Sequence, residues 1–502
     1  MPFEPIFEDI NLLQRKSTIK DRIKVECKTE VPSDGVSKIL SVTGRAFVTK
    51  VEATKTEICY EGRATFFACY LTEEGEIKKS ECATDFKGSV KTDNQEGCRA
   101  VAFAQVEKSE ADISGVRLGL SGYLLIESEL TECNRVRALT GGNNLITDGK
   151  EVSVLRSYGL RETTFAVEEQ FDLNYPVEEV LGQRAEAVVT AVQCGVGTII
   201  VDGEVLLSAM LLQNREKNDI IRENKILPFR AEIECEDAMP SMNAVAFASE
   251  KSFKTDISVD KQNDTSMVNL SVILALSGEV YSSENLTLAS DAFSETEKVE
   301  IEKEEYPFVK PCDVVSQSKE VTVSISTDAL PVGTTLIACM GERVEMVGIE
   351  CLGDGLLVSG VLNVNAFFRD ADGRVFTRKV EGSFETTLDC VCDKECEYYL
   401  RAVAHKFRLK LVSSTQLDAT GEIFFTAYPY EKACIGVVKG VKSGGGKELE
   451  RHAISVYIPC EGEELWSLAK RLNVCPDKLL ASNQDLQFPL SGKERIVVYR
   501  QK

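Results

Sequence analysis

The sequence predicts a mainly β protein, with three repeated, sandwich-like β-rich domains followed by a small βααβ domain at the carboxyl terminus. Three observations support this prediction. A set of short markers recurs three times in one order, the segments between markers alternate apolar and polar residues, and the carboxyl-terminal segment changes to helical spacing. With 502 residues, the chain exceeds the size at which one hydrophobic core keeps growing, so several domains are expected.

The charge balance excludes two classes of partner. The chain has 58 Lys+Arg against 80 Asp+Glu, a net charge of −22, and no long run of basic residues. Nucleic acid and anionic lipid both require concentrated positive charge, so we expect neither as a partner.

The sequence lacks an apolar stretch long enough to predict a transmembrane segment, and its first residues lack the pattern of a secretion signal. We therefore expect a cytoplasmic location.

A repeat occupies most of the chain and is defined by residues at fixed spacing. Each copy has a glycine with an alanine six residues later, at Gly62 and Ala68, Gly203 and Ala209, and Gly360 and Ala366. A phenylalanine follows each of these glycines after a similar interval, at Phe86, Phe229 and Phe384. A proline precedes each glycine, at Pro32, Pro176 and Pro331. An order kept three times indicates three copies of one structural unit.

Two further markers close each copy. The first is a short segment that begins Ala-Val-Ala, at residues 100–104, 244–248 and 402–405. The second is a later glycine, at Gly122, Gly278 and Gly421. His405 stands where the other copies have Phe103 and Phe247. We therefore interpret His405 as a packed strand residue, not as a catalytic base.

The segments between the markers predict strands and turns. Residues 361–368 alternate and are rich in β-branched and aromatic side chains, which suits a half-buried pleated surface. Asp372-Gly373 predicts a hairpin turn. We assign the chain as an N-terminal tail with the first copy, the second copy, the third copy, a flexible linker and a final domain, at residues 1–140, 141–290, 291–432, 433–453 and 454–502. The glycine-rich stretch 443–447 is the expected tether in that linker.

Cysteine and histidine do not form a convincing metal site. Because a secretion signal is absent, we expect the 17 cysteines to be free thiols that mostly act as small buried hydrophobes. Only Cys390, Cys392 and Cys396 are spaced like half of a zinc site, and a second half-site is missing. The chain has two histidines, His405 and His452. We expect no metal, no cofactor and no enzymatic activity.

The carboxyl-terminal segment from Ile454 to Tyr499 predicts a strand, two helices and a final strand. A short alternating strand ends in a turn at Gly462, and an amphipathic segment follows with apolar residues at helical spacing. Pro476 opens the second helix and Asn483 stands where it should end. The apolar run 496–499 closes the segment.

This arrangement resembles a LysM domain, and residues 462–469, Gly-Glu-Glu-Leu-Trp-Ser-Leu-Ala, match the first helix of that family. LysM domains are non-catalytic modules that bind glycans containing N-acetylglucosamine, or other proteins. The resemblance implies a partner- or glycan-binding groove formed by Gly462, Glu463, Glu464, Leu465, Trp466 and Asn483.

The whole chain resembles a family of spore-coat-assembly proteins of endospore-forming bacteria, which combine SPOCS repeats with a carboxyl-terminal LysM domain. The repeats match over about residues 15–430 and the LysM-like part over residues 454–499. The resemblance implies a non-enzymatic protein of the mother-cell cytoplasm that localises to the forespore surface. It also implies a partner, a morphogenetic ATPase of the coat basement, which the LysM domain contacts.

The LysM-like segment departs from the common family pattern where a glycan would bind. The usual Gly-Asp-Thr-Leu turn is replaced by Gly462-Glu463-Glu464-Leu465, and the usual Asn-Pro pair by Asn483-Gln484. The two glutamates predict a crowded acidic rim, which favours a protein partner with a basic patch. Trp466 is the expected anchor of that contact. Binding of peptidoglycan or another N-acetylglucosamine polymer remains the alternative.

Overall fold

The computed structural model describes residues 3–94, 97–260, 262–353, 355–389, 396–447 and 454–499. Over these residues the chain is mainly β, as the sequence predicts, and it contains multiple antiparallel sheets and two short helices. We refer to residues 4–143, 146–293 and 297–446 as units 1, 2 and 3, and to residues 454–499 as the tail.

The elements of each part have the following bounds. Unit 1 contains β1 (Glu4–Glu30), β2 (Lys38–Ala53), β3 (Glu57–Leu71), β4 (Ile77–Lys91), β5 (Arg99–Ser114) and β6 (Arg117–Asn143). Unit 2 contains β7 (Ile146–Leu173), β8 (Glu179–Cys194), β9 (Thr198–Asn214), β10 (Asp219–Glu234), β11 (Asn243–Asp260) and β12 (Thr265–Phe293). Unit 3 contains β13 (Glu297–Pro311), β14 (Val315–Ser326), β15 (Thr335–Cys351), β16 (Leu356–Arg369), β17 (Val375–Leu388), β18 (Cys396–Ser413) and β19 (Gln416–Gly446). The tail contains β20 (Ile454–Tyr457), α1 (Leu465–Leu472), α2 (Pro476–Ser482) and β21 (Ile496–Tyr499).

The same strand order recurs in the three units. In unit 1 the first, last and fifth strands form the sheet β1-β6-β5, and the intervening strands form the sheet β2-β3-β4. Unit 2 repeats this order as β7-β12-β11 and β8-β9-β10. In unit 3 the first strand is divided into β13 and β14, which both pair with β19, and β18 and β15-β16-β17 complete the pattern. The division lies after Pro311, which has no backbone N–H to donate to a neighbouring strand.

The repeat markers are explained by direct cross-strand pairs. The glycine and the phenylalanine of each copy lie opposite each other on neighbouring strands, as Gly62 and Phe86, Gly203 and Phe229, and Gly360 and Phe384. A Cβ atom at Gly203 would lie 2.3 Å from Phe229 Cζ. The phenylalanine ring therefore covers the backbone of the central strand, and only glycine leaves room for it.

The unit boundaries differ from those expected. Residues 141–143 belong to β6 and residues 291–293 belong to β12, so units 1 and 2 each end three residues later than predicted. The expected N-terminal tail is part of β1. Residues 433–446 form the end of β19 and pair with β13 instead of forming a flexible linker. Burial explains this difference, because Ile435, Val437 and Val438 are apolar and fully covered. Residues 448–453 of the expected linker lie outside the described residues.

The first and last strands of each unit extend beyond its sheets as a two-stranded ribbon. The ribbons are formed by residues 4–16 with 130–143, 146–157 with 281–293, and 297–311 with 430–446. One apolar cluster joins all three ribbons and consists of Ile10, Leu12, Val136, Ala138, Val154, Leu288, Phe308, Ile435 and Val437. The three units therefore share a core, and each covers apolar surface of the other two.

Aromatic rings from all three units meet next to the ribbons. The ring centroids of Phe103 and Phe247 lie 6.2 Å apart, and Phe103 also lies 6.2 Å from Tyr399. The guanidinium carbon of Arg401 lies 4.0 Å from the centroid of Phe103, and Arg401 Nη1 donates to the carbonyl oxygen of Ala248 at 2.9 Å. Contacts of this kind fix the relative orientation of the units.

A buried carboxyl group lies at the same junction. Glu250 is buried, and its side chain accepts a hydrogen bond from the backbone N–H of Ala187. Burial, together with the nearby charge of Glu186, raises the pKa of Glu250 to about 8. The carboxyl group is therefore largely protonated at neutral pH.

We predict that Gly203→Ala destabilises the protein by about 1–3 kcal/mol, because the added Cβ would overlap the Phe229 ring and the backbone oxygen of Val188. Gly436→Ala is the matched control. Gly436 is also a strand glycine, but a Cβ there meets open space. Urea unfolding of both variants measures the difference, and equal midpoints would contradict the proposed role of the glycine–phenylalanine pair.

A second prediction concerns pH. The folded-state pKa of Glu250 exceeds its ordinary value of 4.5, so between about pH 4.5 and 8 the folded protein retains a proton that the unfolded chain releases. The free energy of unfolding should therefore fall as pH rises through this range, and Glu250→Gln should reduce the fall. Urea unfolding near pH 5 and near pH 8 tests this, with Glu464→Gln, at an exposed position, as the control. An unchanged pH dependence in Glu250→Gln would refute the assignment.

Candidate functional site

The tail has the predicted order of strand, helix, helix and strand. The strands β20 and β21 pair antiparallel, with Ile454 opposite Tyr499 and Val456 opposite Val497. Helix α1 buries Leu468, Ala469 and Leu472 at helical spacing and ends at Asn473, which adopts a left-handed conformation with φ 53°. Helix α2 begins with Pro476, whose fixed φ suits the first helical position.

The turn before α1 contains three of the predicted site residues. Gly462 has φ +78°, which favours glycine, and its N–H donates to the carbonyl oxygen of Leu490 at 2.7 Å. Glu463 forms hydrogen bonds with both Nε and Nη2 of Arg471, at 2.9 and 2.8 Å. Those bonds hold the pKa of Glu463 below its ordinary value. Of the two glutamates of the expected acidic rim, Glu463 is thus neutralised within the tail, whereas Glu464 is exposed.

Trp466 is in contact with unit 2 instead of being presented to a partner. Its indole Nε1–H donates to Asp291 Oδ2 at 2.8 Å, and its ring packs edge-on against Phe293 with centroids 5.2 Å apart. Leu465 packs against the same apolar cluster, which combines the tail core with Phe293 of β12. Trp466 therefore contacts the chain's own second unit, and its expected role as the anchor for a protein partner stays a prediction.

Asn483 has a structural role. Its side-chain amide donates to the carbonyl oxygens of Leu479 and Val497, at 2.8 and 2.7 Å, and its side-chain oxygen accepts from the N–H of Val497 at 2.8 Å. These bonds fasten α2 to β21. The structure thus keeps Gly462 to Trp466 together by sequence adjacency, whereas the polar atoms of Asn483 are used to hold the tail's own fold.

Further polar contacts hold the tail to the end of unit 2 and to Glu295, which follows β12, and they were not predicted. Lys470 Nζ contacts both carboxylate oxygens of Asp291, at 2.7 and 2.8 Å. Glu295 accepts from Lys478 Nζ at 3.0 and 3.1 Å and from the N–H of Cys475 at 3.0 Å. Burial alone raises the pKa of Asp291, but the hydrogen bonds from Lys470 and Trp466 outweigh burial and hold it below its ordinary value. Sequence spacing gave no signal for these pairs, because Asp291 and Glu295 precede the tail by more than 150 residues.

The tail also exposes apolar side chains. They are Ile454, Val456, Ile458 and Tyr499, with exposed fractions of 59, 60, 71 and 57%. Ile454 and Val456 share one face of β20, and Tyr499 lies directly opposite Ile454 on β21. We call these four residues the tail sheet face. A grouped apolar surface of this kind marks an interaction site more often than scattered single residues do.

The remaining residues with functional potential have the following positions. His405 is 1% exposed and packs edge-on to Phe424, and burial lowers its pKa to about 3. It is thus a packed strand residue, as predicted, whereas His452, Cys390 and Cys392 lie outside the described residues.

Fourteen of the described cysteines are free thiols, of which four are buried. Cys351 is disulfide-bonded, so the expectation of free thiols is wrong at that position.

Within the described ranges, no cluster of three or more His, Cys, Asp or Glu side chains has a geometry that could hold a metal ion. Neither of the helices found in those ranges has the length and apolar character needed to cross a membrane. The candidate site consists of the tail sheet face and the contact between the tail and unit 2.

We predict that Asp291→Ala combined with Glu295→Ala weakens the contact between tail and unit 2. The change leaves the Trp466 N–H and the Lys470 ammonium without their acceptors, at a cost of about 1–3 kcal/mol. Trp466 is the only tryptophan, so its emission reports this contact directly. The emission should shift to longer wavelength, and quenching by acrylamide should increase. Asp485→Ala, at an exposed position on the tail, is the control. Unchanged quenching in the double variant would contradict the docked arrangement.

Comparison with known proteins gave no relative for this chain. No protein-family model, no curated protein and no solved structure matches it.

Proposed function

We propose that this protein is a non-enzymatic spore-coat assembly protein that docks through its tail onto a coat-basement protein at the forespore surface. The expected partner is the morphogenetic ATPase of the coat basement, and the expected location is the mother-cell cytoplasm. The observation that carries the proposal is the tail sheet face, because it is the grouped apolar surface that the tail leaves uncovered.

The domain assignment belongs to the same proposal. We infer that units 1, 2 and 3 are SPOCS-type β-sandwich repeats and that the tail is a LysM domain. The recurring strand order supports the first inference, and the order β20, α1, α2, β21 supports the second. The residues carrying the resemblance also have structural reasons to recur, since each glycine faces the phenylalanine of its own copy.

The tail sheet face is a better docking surface than Trp466. A partner that bound Trp466 would first have to break its hydrogen bond to Asp291 and its contact with Phe293. In contrast, Ile454, Val456 and Tyr499 already face solvent, so covering them removes apolar area from water at no such cost. The contact with unit 2 therefore holds the tail in place and leaves the tail sheet face exposed.

We expect the charges of the tail to contribute less to partner binding than the sequence predicted. Arg471 neutralises Glu463, so the local acidic rim is reduced to Glu464 and neighbouring exposed carboxylates. The net charge of −22 still favours a basic partner at long range. Its effect should be on the rate of association and should diminish as salt is added.

We predict that Val456→Ser combined with Tyr499→Ser weakens binding of the purified coat-basement ATPase at least tenfold, because burial of two apolar side chains is lost. Both side chains are exposed, so the fold should be preserved. Point substitutions are preferable to deletion of the tail, since deletion would uncover Phe293, which is 2% exposed. Surface plasmon resonance on the full chain provides the measurement.

The control is Ile113→Ser combined with Val116→Ser. These substitutions remove exposed apolar residues at the turn between β5 and β6 and should leave binding unchanged. Equal binding by the tail variant and the wild-type protein would reject docking through the tail sheet face. Calorimetry with chitin oligomers and muropeptides tests the alternative, peptidoglycan or N-acetylglucosamine binding. Micromolar affinity for either sugar would favour that alternative.

A further inference from the structure

Unit 2 contains a cavity of about 300 Å³ between its two sheets. One sheet contributes the inward-facing residues Leu207, Ala209 and Leu211 of β9, and the other contributes Phe171, Val268 and Leu270. The register is consistent with this arrangement, since Phe171 lies directly opposite Val268 on the neighbouring strand. A cavity of this size with a mainly apolar lining is typical of small-molecule sites.

The cavity has a clear cause in the sequence of unit 2. Eight residues after the first glycine marker, unit 1 has Tyr70 and unit 3 has Phe368, and both rings are fully buried. At the same position unit 2 has Leu211, which lines the cavity. A leucine lacks the volume of the ring that fills this place in the other two units, so space remains between the sheets.

One polar group in the lining lacks a partner. Thr255 Oγ1 is buried, and within the part of the chain that the structure describes it makes no hydrogen bond. Thr255 lies opposite Leu270 in the β11–β12 pair, and both line the cavity. A buried hydroxyl group without a partner is unfavourable, and a bound molecule with an acceptor atom would satisfy it.

Two charged side chains at the cavity, Lys225 and Glu223, already have partners. Lys225 Nζ forms an ion pair with Glu169 at 3.2 Å and lies 3.8 Å from the centroid of the Phe171 ring. The carboxylate of Glu223 accepts a hydrogen bond from the hydroxyl of Tyr175. An anionic ligand would therefore lose its hydration without gaining a free counter-charge, and the carboxylate of Asp172 at the lining further disfavours an anion. Because Asp172 is exposed to solvent, its attraction for a cationic ligand is screened.

We propose that this cavity is a binding site for a small neutral molecule with an apolar body and one hydrogen-bond acceptor. That acceptor would accept a hydrogen bond from the Thr255 hydroxyl group. The site lies within unit 2 and does not depend on the docking function proposed for the tail. Units 1 and 3 could not bind a molecule at the equivalent position, because the buried rings of Tyr70 and Phe368 fill that space.

Fluorescence titration of the full chain with Nile red, a neutral apolar dye with a carbonyl acceptor, tests the proposal. We expect saturable binding of one dye per chain. Leu211→Phe introduces the ring found in unit 3 and should abolish binding while keeping or raising the unfolding midpoint. Thr255→Val keeps the shape of the side chain but removes the donor, and should weaken binding about fivefold. Leu211→Ile, which adds no ring, is the matched control.

Several results would overturn the proposal. They are absence of saturable dye binding, full binding by a folded Leu211→Phe variant, and unchanged affinity in Thr255→Val. If Leu211→Phe fails to fold by circular dichroism, Thr255→Val still decides the outcome. The exposed tail sheet face is another apolar surface at which the dye could bind. Val456→Ser combined with Tyr499→Ser should therefore bind the dye normally, and loss of binding there would reject the cavity as the site. The anionic dye anilinonaphthalene sulfonate should bind more weakly than Nile red, and tighter binding would contradict a neutral ligand.

Discussion

The first and last strands of each unit continue past the end of the neighbouring strands and form a two-stranded ribbon there. In unit 1, β1 and β6 have 27 residues each, whereas β2 to β5 have 15 or 16. Half of each long strand therefore extends beyond its own two-sheet core and must bury its apolar face elsewhere. The same halves of the other two units provide that cover. This mutual burial fixes the units around one shared core, although each is long enough to suggest an independent domain.

The position of the tail follows from the same constraint. The second ribbon ends at Phe293, and this end presents Asp291, Phe293 and Glu295 as a contact surface for α1 and α2. Because the ribbon is held by the other units, the tail is attached to a rigid support. Its first helix contacts unit 2, and its small sheet leaves one face exposed. The contact that holds the tail thus leaves the candidate docking surface uncovered.

The three units share one strand order but have different interiors. Unit 1 and unit 3 place Tyr70 and Phe368 in the core, and unit 2 places Leu211 there and retains a cavity. Unit 3 divides its first strand after Pro311. Differences at single positions therefore give the units separate properties within a common scaffold, since packed interiors respond to the volume of individual side chains.

The sequence by itself determined the β class, the threefold order of markers, the hairpin at Asp372-Gly373 and the helices of the tail. These features depend on local periodicity, on turn residues and on glycine positions, which are visible along the chain. The pairing of Gly203 with Phe229 is visible in the sequence as a similar glycine–phenylalanine interval in each copy, and the structure shows its cause. Only the tertiary structure decided that residues 433–446 are a strand, that Trp466 binds Asp291 and that Glu463 is neutralised by Arg471. Contacts between β12 and the tail join residues that are far apart in sequence. Local patterns along the chain therefore cannot predict them, because the two surfaces meet only when the ribbons have packed.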